Sequence, residues 1–575
     1  MQLEFLDWAL ILSFFAIFII IGIVVAKRSG KNSKEFFLSG RNMPWWLLGI
    51  SMVATTFAAD TPNFVAGVIR EDGVYGNWIW WSFLLTGMLT VFFYSKLWRR
   101  SGITTDLEFY ELRYSGKSAA FLRGFRAIYL GVFFNIVIMA NVCLAAIKIG
   151  HVMFGLSATE TLLISSVVTV IYSALGGLRS VLLTDFIQFI VAMVGSVWAA
   201  IYIVNLPEVG GISNLLAVPE VASKTDMLPD LTNMEVLIPL LIVPLAVQWW
   251  SVWYPGAEPG GGGYIAQRML AAKDEKHASW AVLFFNFAHY ALRPWPWIII
   301  GLASIIVFPN LDSLAQAFPN LDASFVRNDL SYPAMLTFLP AGLLGIVISS
   351  LIAAFMSTIS THLNWGSSYV VNDFYKRFLK PNASDKEQVL VGRISTVVMM
   401  LFAALLATIL EEARDAFNLL LQIGAGTGLL FILRWFWRRI NPYSEIAAMV
   451  ISFMIALAFF VNGKLDNPLF EMASHWQLVT GVIITTLGWL VVTMLTKPTD
   501  KQTLENFEAL IFEKESKFKG FGTKILAFFS GVIGVYCFLF ATGNFIYGDH
   551  TEGFILSGIA LVCTFLIFKF WNRSK

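Results

Sequence analysis

Four hydroxyls crowd one apolar stretch, Ala354-Phe355-Met356-Ser357-Thr358-Ile359-Ser360-Thr361. In a helix, Ser357, Ser360 and Thr361 share a face at i, i+3 and i+4, with Thr358 beside them on the turn after Ala354. Hydroxyl and carbonyl oxygens are hard, neutral ligands, suited to a small monovalent cation. The same hydroxyls can instead bond back to carbonyls of their own helix. Asp185 bears on that choice. It lies in Thr184-Asp185-Phe186-Ile187-Gln188, inside another apolar stretch. An ionisable residue in such a place is costly and by default marks a functional site. Its expected partner is a cation or Arg179. Ionised beside the hydroxyls it attracts sodium; titrating near neutral pH it couples to protons.

Two further apolar stretches are interrupted. In 51–67 the run Ala58-Ala59-Asp60-Thr61-Pro62-Asn63 puts an acid, a proline and an amide mid-span. The stretch 235–257 continues into Tyr254-Pro255-Gly256-Ala257-Glu258-Pro259 and four glycines, Gly260, Gly261, Gly262 and Gly263. Backbone groups cannot stay unpaired in hydrocarbon, so an unwound stretch must face protein or a wet cavity. Paired interruptions at corresponding places in two halves point to a carrier's binding site. Ordinary proline kinks or loop ends are the plainer alternative.

These residues need helices in a bilayer to position them. Of 575 residues, 57% are hydrophobic and 14% charged, against about a quarter charged in soluble domains. Hydropathy gives roughly fifteen candidate spans of about 20 residues each. Basic clusters at 27–41, 96–117, 268–276, 376–386, 434–439, 497–524 and 569–575, with Arg179, alternate with acidic or neutral loops at 71–72, 208–230, 312–329, 411–415, 466–471 and 549–552. By the positive-inside rule the N-terminus lies outside and the C-terminus in the cytoplasm. The span 341–374 is too long to stand upright and must tilt or run on. The stretch 5–26 reads as a retained span, being too long for a signal-peptide core and preceded by acid. Tryptophans at 45–46, 78–81, 249–253 and 295–297 sit near span ends as interface anchors or pocket walls. Balanced charge leaves nothing to recruit nucleic acid, and no obligate protein partner is evident. Three scattered cysteines make no metal cluster or disulfide framework. No P-loop and no nucleophile–base pair is found, so neither ATP-driven transport nor an enzyme is expected.

The organisation follows by counting. An extra span at 5–26 precedes five spans at 44–205, five at 235–441, and further spans at 443–571. Each five-span unit opens on an interrupted span. Because five is odd, the units have opposite topology, an inverted repeat with its site between the two interruptions.

Gly176-Gly177-Leu178-Arg179-Ser180-Val181, running into Thr184-Asp185-Phe186-Ile187-Gln188, resembles the signature of the solute:sodium symporter family, which includes sodium/glucose, sodium/proline and sodium/sialic acid transporters. Gln267-Arg268-Met269-Leu270-Ala271-Ala272-Lys273, Asn372-Asp373-Phe374-Tyr375-Lys376-Arg377 and Phe436-Trp437-Arg438-Arg439 agree with it. The resemblance covers roughly 5–500 and implies an all-α membrane protein with the LeuT-type 5+5 inverted repeat. It implies a sodium site from the carbonyls of Ala54, Phe57 and Ala354 with the hydroxyls of Ser357 and Thr358. A second sodium in some members maps onto Asp185, Ser357, Ser360 and Thr361. The sugar contacts do not carry over: Thr61, Trp80 and His289 stand where galactose carriers have glutamine, glutamate and lysine, and Gly262-Gly263 replace an asparagine-glutamine pair. Substrate contacts are expected among Asp60, Thr61, Asn63, Trp80, Glu258, His289, Arg293 and Gln422. For His289 and Arg293 the alternative is an interface role; for Glu258 it is a salt bridge pinning the unwound segment. The expected function is sodium-coupled import of a small solute (sugar, sugar acid, amino acid or carboxylate) across the cell membrane, with one or two sodium ions. A proton-coupled carrier or a solute sensor of the same fold are the rivals.

Overall fold

The computed structural model describes residues 3–29, 32–252, 258–409, 420–465, 467–512 and 520–573. Among these the chain is helical, without a strand. The interruption at 254–257, Trp253, the loop 411–415 and the start of the expected span 415–437 lie outside the described residues.

Eleven helices among the described residues are long and apolar enough to cross a bilayer. Three more apolar helices, Trp45–Thr56, Ala158–Ile171 and Met234–Trp250, are shorter. The expectation of about fifteen spans is therefore not reproduced by helix length. Hydropathy registers apolar residues whether or not the helix through them is continuous, whereas a crossing helix needs about 20 in a row. The spans expected at 159–176 and 180–205 correspond to two helices that meet at Gly177, whose backbone is not helical (φ 56°, ψ −170°). A Cβ there would lie 2.8 Å from the Phe36 carbonyl oxygen, so only glycine fits.

The first interruption is where the sequence places it. Helix Trp45–Thr56 stops at Phe57 (φ −92°, ψ 67°), and a second helix, Asp60–Glu71, begins three residues later. Thr56 Oγ1 donates back to the carbonyls of Met52 (3.0 Å) and Val53 (2.9 Å), closing the last turn. Pro62 falls in the first turn of the next helix, where its missing N–H costs nothing. Beyond 254–257, Gly260 (φ 87°) and Gly261 (φ 95°) lead into helix Gly263–Ala271. A Cβ on Gly261 would meet the Met269 methyl at 2.6 Å.

Helix Leu343–Tyr369 carries the hydroxyl cluster and continues in wide turns to Leu379. The run of 37 residues is 89% buried over its most apolar window. At 1.5 Å per residue it is about 55 Å long, well beyond a hydrocarbon core of about 30 Å, so it tilts or projects as its length requires. Asp7 on the N-terminal helix Phe5–Ser29 caps its start: Oδ1 accepts the N–H groups of Gly342 and Gly345, each at 2.8 Å. The outer helices Phe5–Gly22, Asp385–Ala407, Pro442–Gly463, Ser474–Leu495 and His550–Trp571 are only 22–33% buried and face the lipid.

Candidate functional site

Helices Trp45–Thr56, Ala158–Val204, Gly263–Ala271 and Leu343–Tyr369 converge on Asp185, which is 0% exposed. Its two oxygens accept from Ser51 Oγ and Ser357 Oγ, both at 2.5 Å. Arg268 stands behind Ser51, with Nη2 donating to Ser51 Oγ (3.2 Å) and to Thr361 Oγ1 (2.9 Å). Thr361 and Thr55 share a hydroxyl–hydroxyl bond of 3.2 Å. Thr358 Oγ1 crosses to the Thr55 carbonyl at 2.9 Å. Ala54 and Phe57 flank Thr55 and Thr56 at that helix end, and Ala354 lies one turn before Thr358. Ser360 differs from its neighbours: its hydroxyl donates back to the Ser357 carbonyl at 3.1 Å. The charged side chain at the cluster is Arg268 rather than the expected Arg179. In the sequence Arg268 opens the basic cluster 268–276, and nothing there indicates its reach across to Ser51.

Beside this cluster lies a cavity of ≈180 Å³, with Thr55 and Thr358 common to both. Five of the expected substrate contacts line it: Asp60, Thr61, Trp80, His289 and Arg293. Asn141, Tyr264, Tyr290, Phe64 and Phe83 complete much of the wall. Asp60 Oδ2 accepts from Asn141 Nδ2 at 3.0 Å. Trp80 stacks on Tyr290 (5.9 Å, 23°) and meets the His289 ring edge-on (5.6 Å, 87°). Its indole N–H is held by Asn77 Oδ1 at 2.8 Å, so the ring is what it offers to a ligand. His289 Nδ1 pairs with Thr56 Oγ1 at 3.0 Å. Thr61 Oγ1 donates to the Thr56 carbonyl at 3.3 Å.

Three expected contacts are elsewhere. Asn63 is buried on the far side of its helix, because Asp60, Thr61, Phe64 and Val65 make up the cavity-facing positions. Gln422 donates to Gln477 at 2.9 Å, two residues past the cavity-lining Leu420. Glu258 is ion-paired with Arg126, both 3% exposed. Arg126 also lies 3.9 Å from Glu445, which is 3.6 Å from Arg434 and accepts the Tyr114 hydroxyl at 2.7 Å. Glu258 thus pins the segment before the second half-helix, as its alternative reading had it. Sequence alone could not supply Arg126, which is an ordinary basic residue until the fold brings it to Glu258.

A broken helix beside a largely apolar cavity that carries a few charged groups, within a bundle of membrane-length helices, is the arrangement of a membrane carrier. The model of the sodium:solute symporter family matches residues 36–452, and the chain belongs to that family. It is a transporter and not an enzyme. It is similar to the sodium/glucose cotransporter of Vibrio parahaemolyticus, 26% identical over 84% of this chain and 90% of the relative. It is also similar to the sodium/sialic acid symporter SiaT of Proteus mirabilis, 25% identical over 84% and 95%. Among solved structures, a substrate-bound, outward-open Na+-coupled sialic acid symporter superposes with a TM-score of 0.67 at 22% identity, covering 87% of this chain and all (100%) of that one, a likeness of fold.

Proposed function

We propose that the chain imports a small organic solute with sodium across the cell membrane by alternating access. The observation that carries this reading is the crossing bond from Thr358 to the Thr55 carbonyl, beside the Ser357–Asp185 bond and at the edge of the cavity. One sodium binds between the carbonyls of Ala54, Phe57 and Ala354 and the hydroxyls of Ser357 and Thr358. A second binds at Asp185 with Ser357, Ser360 and Thr361, where it displaces the Arg268 contact to Thr361. Sodium favours the outward-open state by binding it more tightly than the inward one, which is the only way a ligand shifts such a balance. Each inward charge contributes about 2.3 kcal/mol at 100 mV.

The architecture proposed is a LeuT-type pair of inverted repeats, 44–205 and 235–441, with the half-helices joined into about fifteen passages. The N-terminus lies outside and the C-terminus inside. The paired interruptions and the alternation of loop charge support it. Uptake of labelled sugars, sugar acids, amino acids and carboxylates into proteoliposomes tests the coupling, with sodium replaced by choline at fixed pH. Uptake falls to background without sodium; undiminished uptake in choline sinks the sodium reading in favour of proton coupling.

A further inference from the structure

The cavity holds two opposite charges that do not meet. Arg293 is 1% exposed, and its guanidinium is a donor-only group. Its contacts are long: Nε to the His289 carbonyl at 3.3 Å, Nη1 to the Val53 carbonyl at 3.4 Å and to Thr56 Oγ1 at 3.5 Å, and Nη2 to His289 Nε2 at 3.4 Å. It also lies over the Trp297 ring at 5.3 Å. Among the described residues no carboxylate oxygen comes within 4.0 Å of it. A buried charge is normally paired, because an unpaired one is expensive. Elsewhere on the wall, Asp60 Oδ1 and Asn141 Oδ1 are both shielded from solvent and receive no hydrogen bond. Two acceptor oxygens without a donor therefore share one cavity with a cation that no carboxylate touches.

The rest of the wall gives a ring of hydroxyls little to bind. The hydroxyl protons of Thr56, Thr61 and Thr358 are committed to backbone carbonyls of this chain. Trp80, Phe64, Phe83 and Tyr290 supply aromatic surface to the same wall. A polyol would leave most of its oxygens facing hydrocarbon. The volume of ≈180 Å³ admits a small ring, since a cavity of about 150 Å³ takes benzene.

We propose, building on the carrier reading, that the solute is a small zwitterion with an apolar body. Its ammonium group donates to Asp60 Oδ1 and Asn141 Oδ1, its carboxylate accepts from Arg293, and its body lies against Trp80, Phe83 and Tyr290. An aromatic wall next to the ammonium adds cation–π attraction. Because Asp60 and Arg293 cancel, a zwitterion enters without leaving a net charge in the membrane interior, whereas a simple anion meets Asp60 uncompensated.

The test uses the purified full chain in nanodiscs at saturating sodium, titrated with L-alanine, L-proline, L-phenylalanine, the methyl ester and N-acetyl derivative of each, D-galactose and D-glucuronate. At least one free amino acid binds, and its ester and its N-acetyl derivative each bind about tenfold or more weakly, as expected when one charged partner is removed. Arg293→Gln weakens the free amino acid but not the ester; Asp60→Asn weakens the amino acid but not the N-acetyl form. Galactose or glucuronate binding while every amino acid fails overturns the proposal, as does silence from the whole panel. Amino-acid binding unchanged in Arg293→Gln also overturns it. Where a variant misfolds, the ester and N-acetyl arms on the unmutated chain decide. Thermal stabilisation by sodium chloride over choline chloride, measured without organic solute, reports on the sodium reading separately.

Discussion

Ser357→Ala is the sharpest probe of the cation cluster. The Ser357 hydroxyl is buried, crosses between helices and meets the Asp185 carboxylate at 2.5 Å. In the proposed site it is also a sodium ligand. A hydrogen bond or ligand contact between a hydroxyl and a charged group contributes about 1.5–3 kcal/mol. At 1.4 kcal/mol per tenfold, its loss raises the half-saturating sodium concentration by about tenfold to a hundredfold. Binding of labelled sodium to the purified protein, with choline holding ionic strength constant, reads this directly and needs no knowledge of the solute. Ser350→Ala is the matched control. It is on the same helix and equally buried, but its hydroxyl returns to its own helix at the Val347 carbonyl, 2.7 Å away. It should leave sodium binding within about twofold, since such a back-bond adds little. Ser357→Ala binding sodium like the parent, or Ser350→Ala shifting it as far, refutes the reasoning.

Asp185→Asn lowers the Hill coefficient for sodium from near two to one; an unchanged coefficient makes Asp185 a structural acid. Glu258→Gln leaves Arg126 buried against a neutral partner and destabilises the fold by about 3–5 kcal/mol, seen as a lower melting temperature; a melting temperature equal to the parent's contradicts the pinning role. Asp106, in the segment between two spans, accepts from the Gly263 N–H at 2.9 Å and from the Tyr369 hydroxyl. Burial, and then the negative charge of Glu258, push its carboxyl up to about 6. A group whose folded-state pKa is raised contributes stability that is lost as pH rises through that value. Melting temperature measured relative to Asp106→Asn should therefore rise as pH falls from 7.5 toward 5, and a flat difference argues against this.

The interruption at Phe57 was legible because proline, acid and amide cluster within six residues, and no continuous apolar helix tolerates that. The hydroxyl cluster was legible from helical spacing. The partners of charged residues were not. Asp185 with Arg268, Glu258 with Arg126 and Asp60 with Asn141 join residues far apart in sequence, and periodicity carries no information about which helix lies opposite. Asn63 lies off the cavity wall for a local reason: one residue along a helix turns the side chain about 100°, away from the face shared by Asp60, Thr61 and Phe64. Helix length does not reproduce the span count, because an apolar tally also registers helices as short as Trp45–Thr56, Ala158–Ile171 and Met234–Trp250.

The second half-helix is moored at both ends by a guanidinium contact: Glu258 to Arg126 before the glycines, and Arg268 to Ser51 and Thr361 after them. Between the moorings lie Gly260 and Gly261, both in the left-handed region. In the proposed alternating access the pair serves as a swivel, since glycine adopts such angles without steric cost. Rotation of the helix that bears Arg268 need not drag the strut at Glu258, so in the proposed cycle the hydroxyl cluster is rebuilt while the framework around Glu445 and Arg434 stays still. Stiffening that swivel, with either glycine replaced, would uncouple ion binding from movement without touching a single ligand.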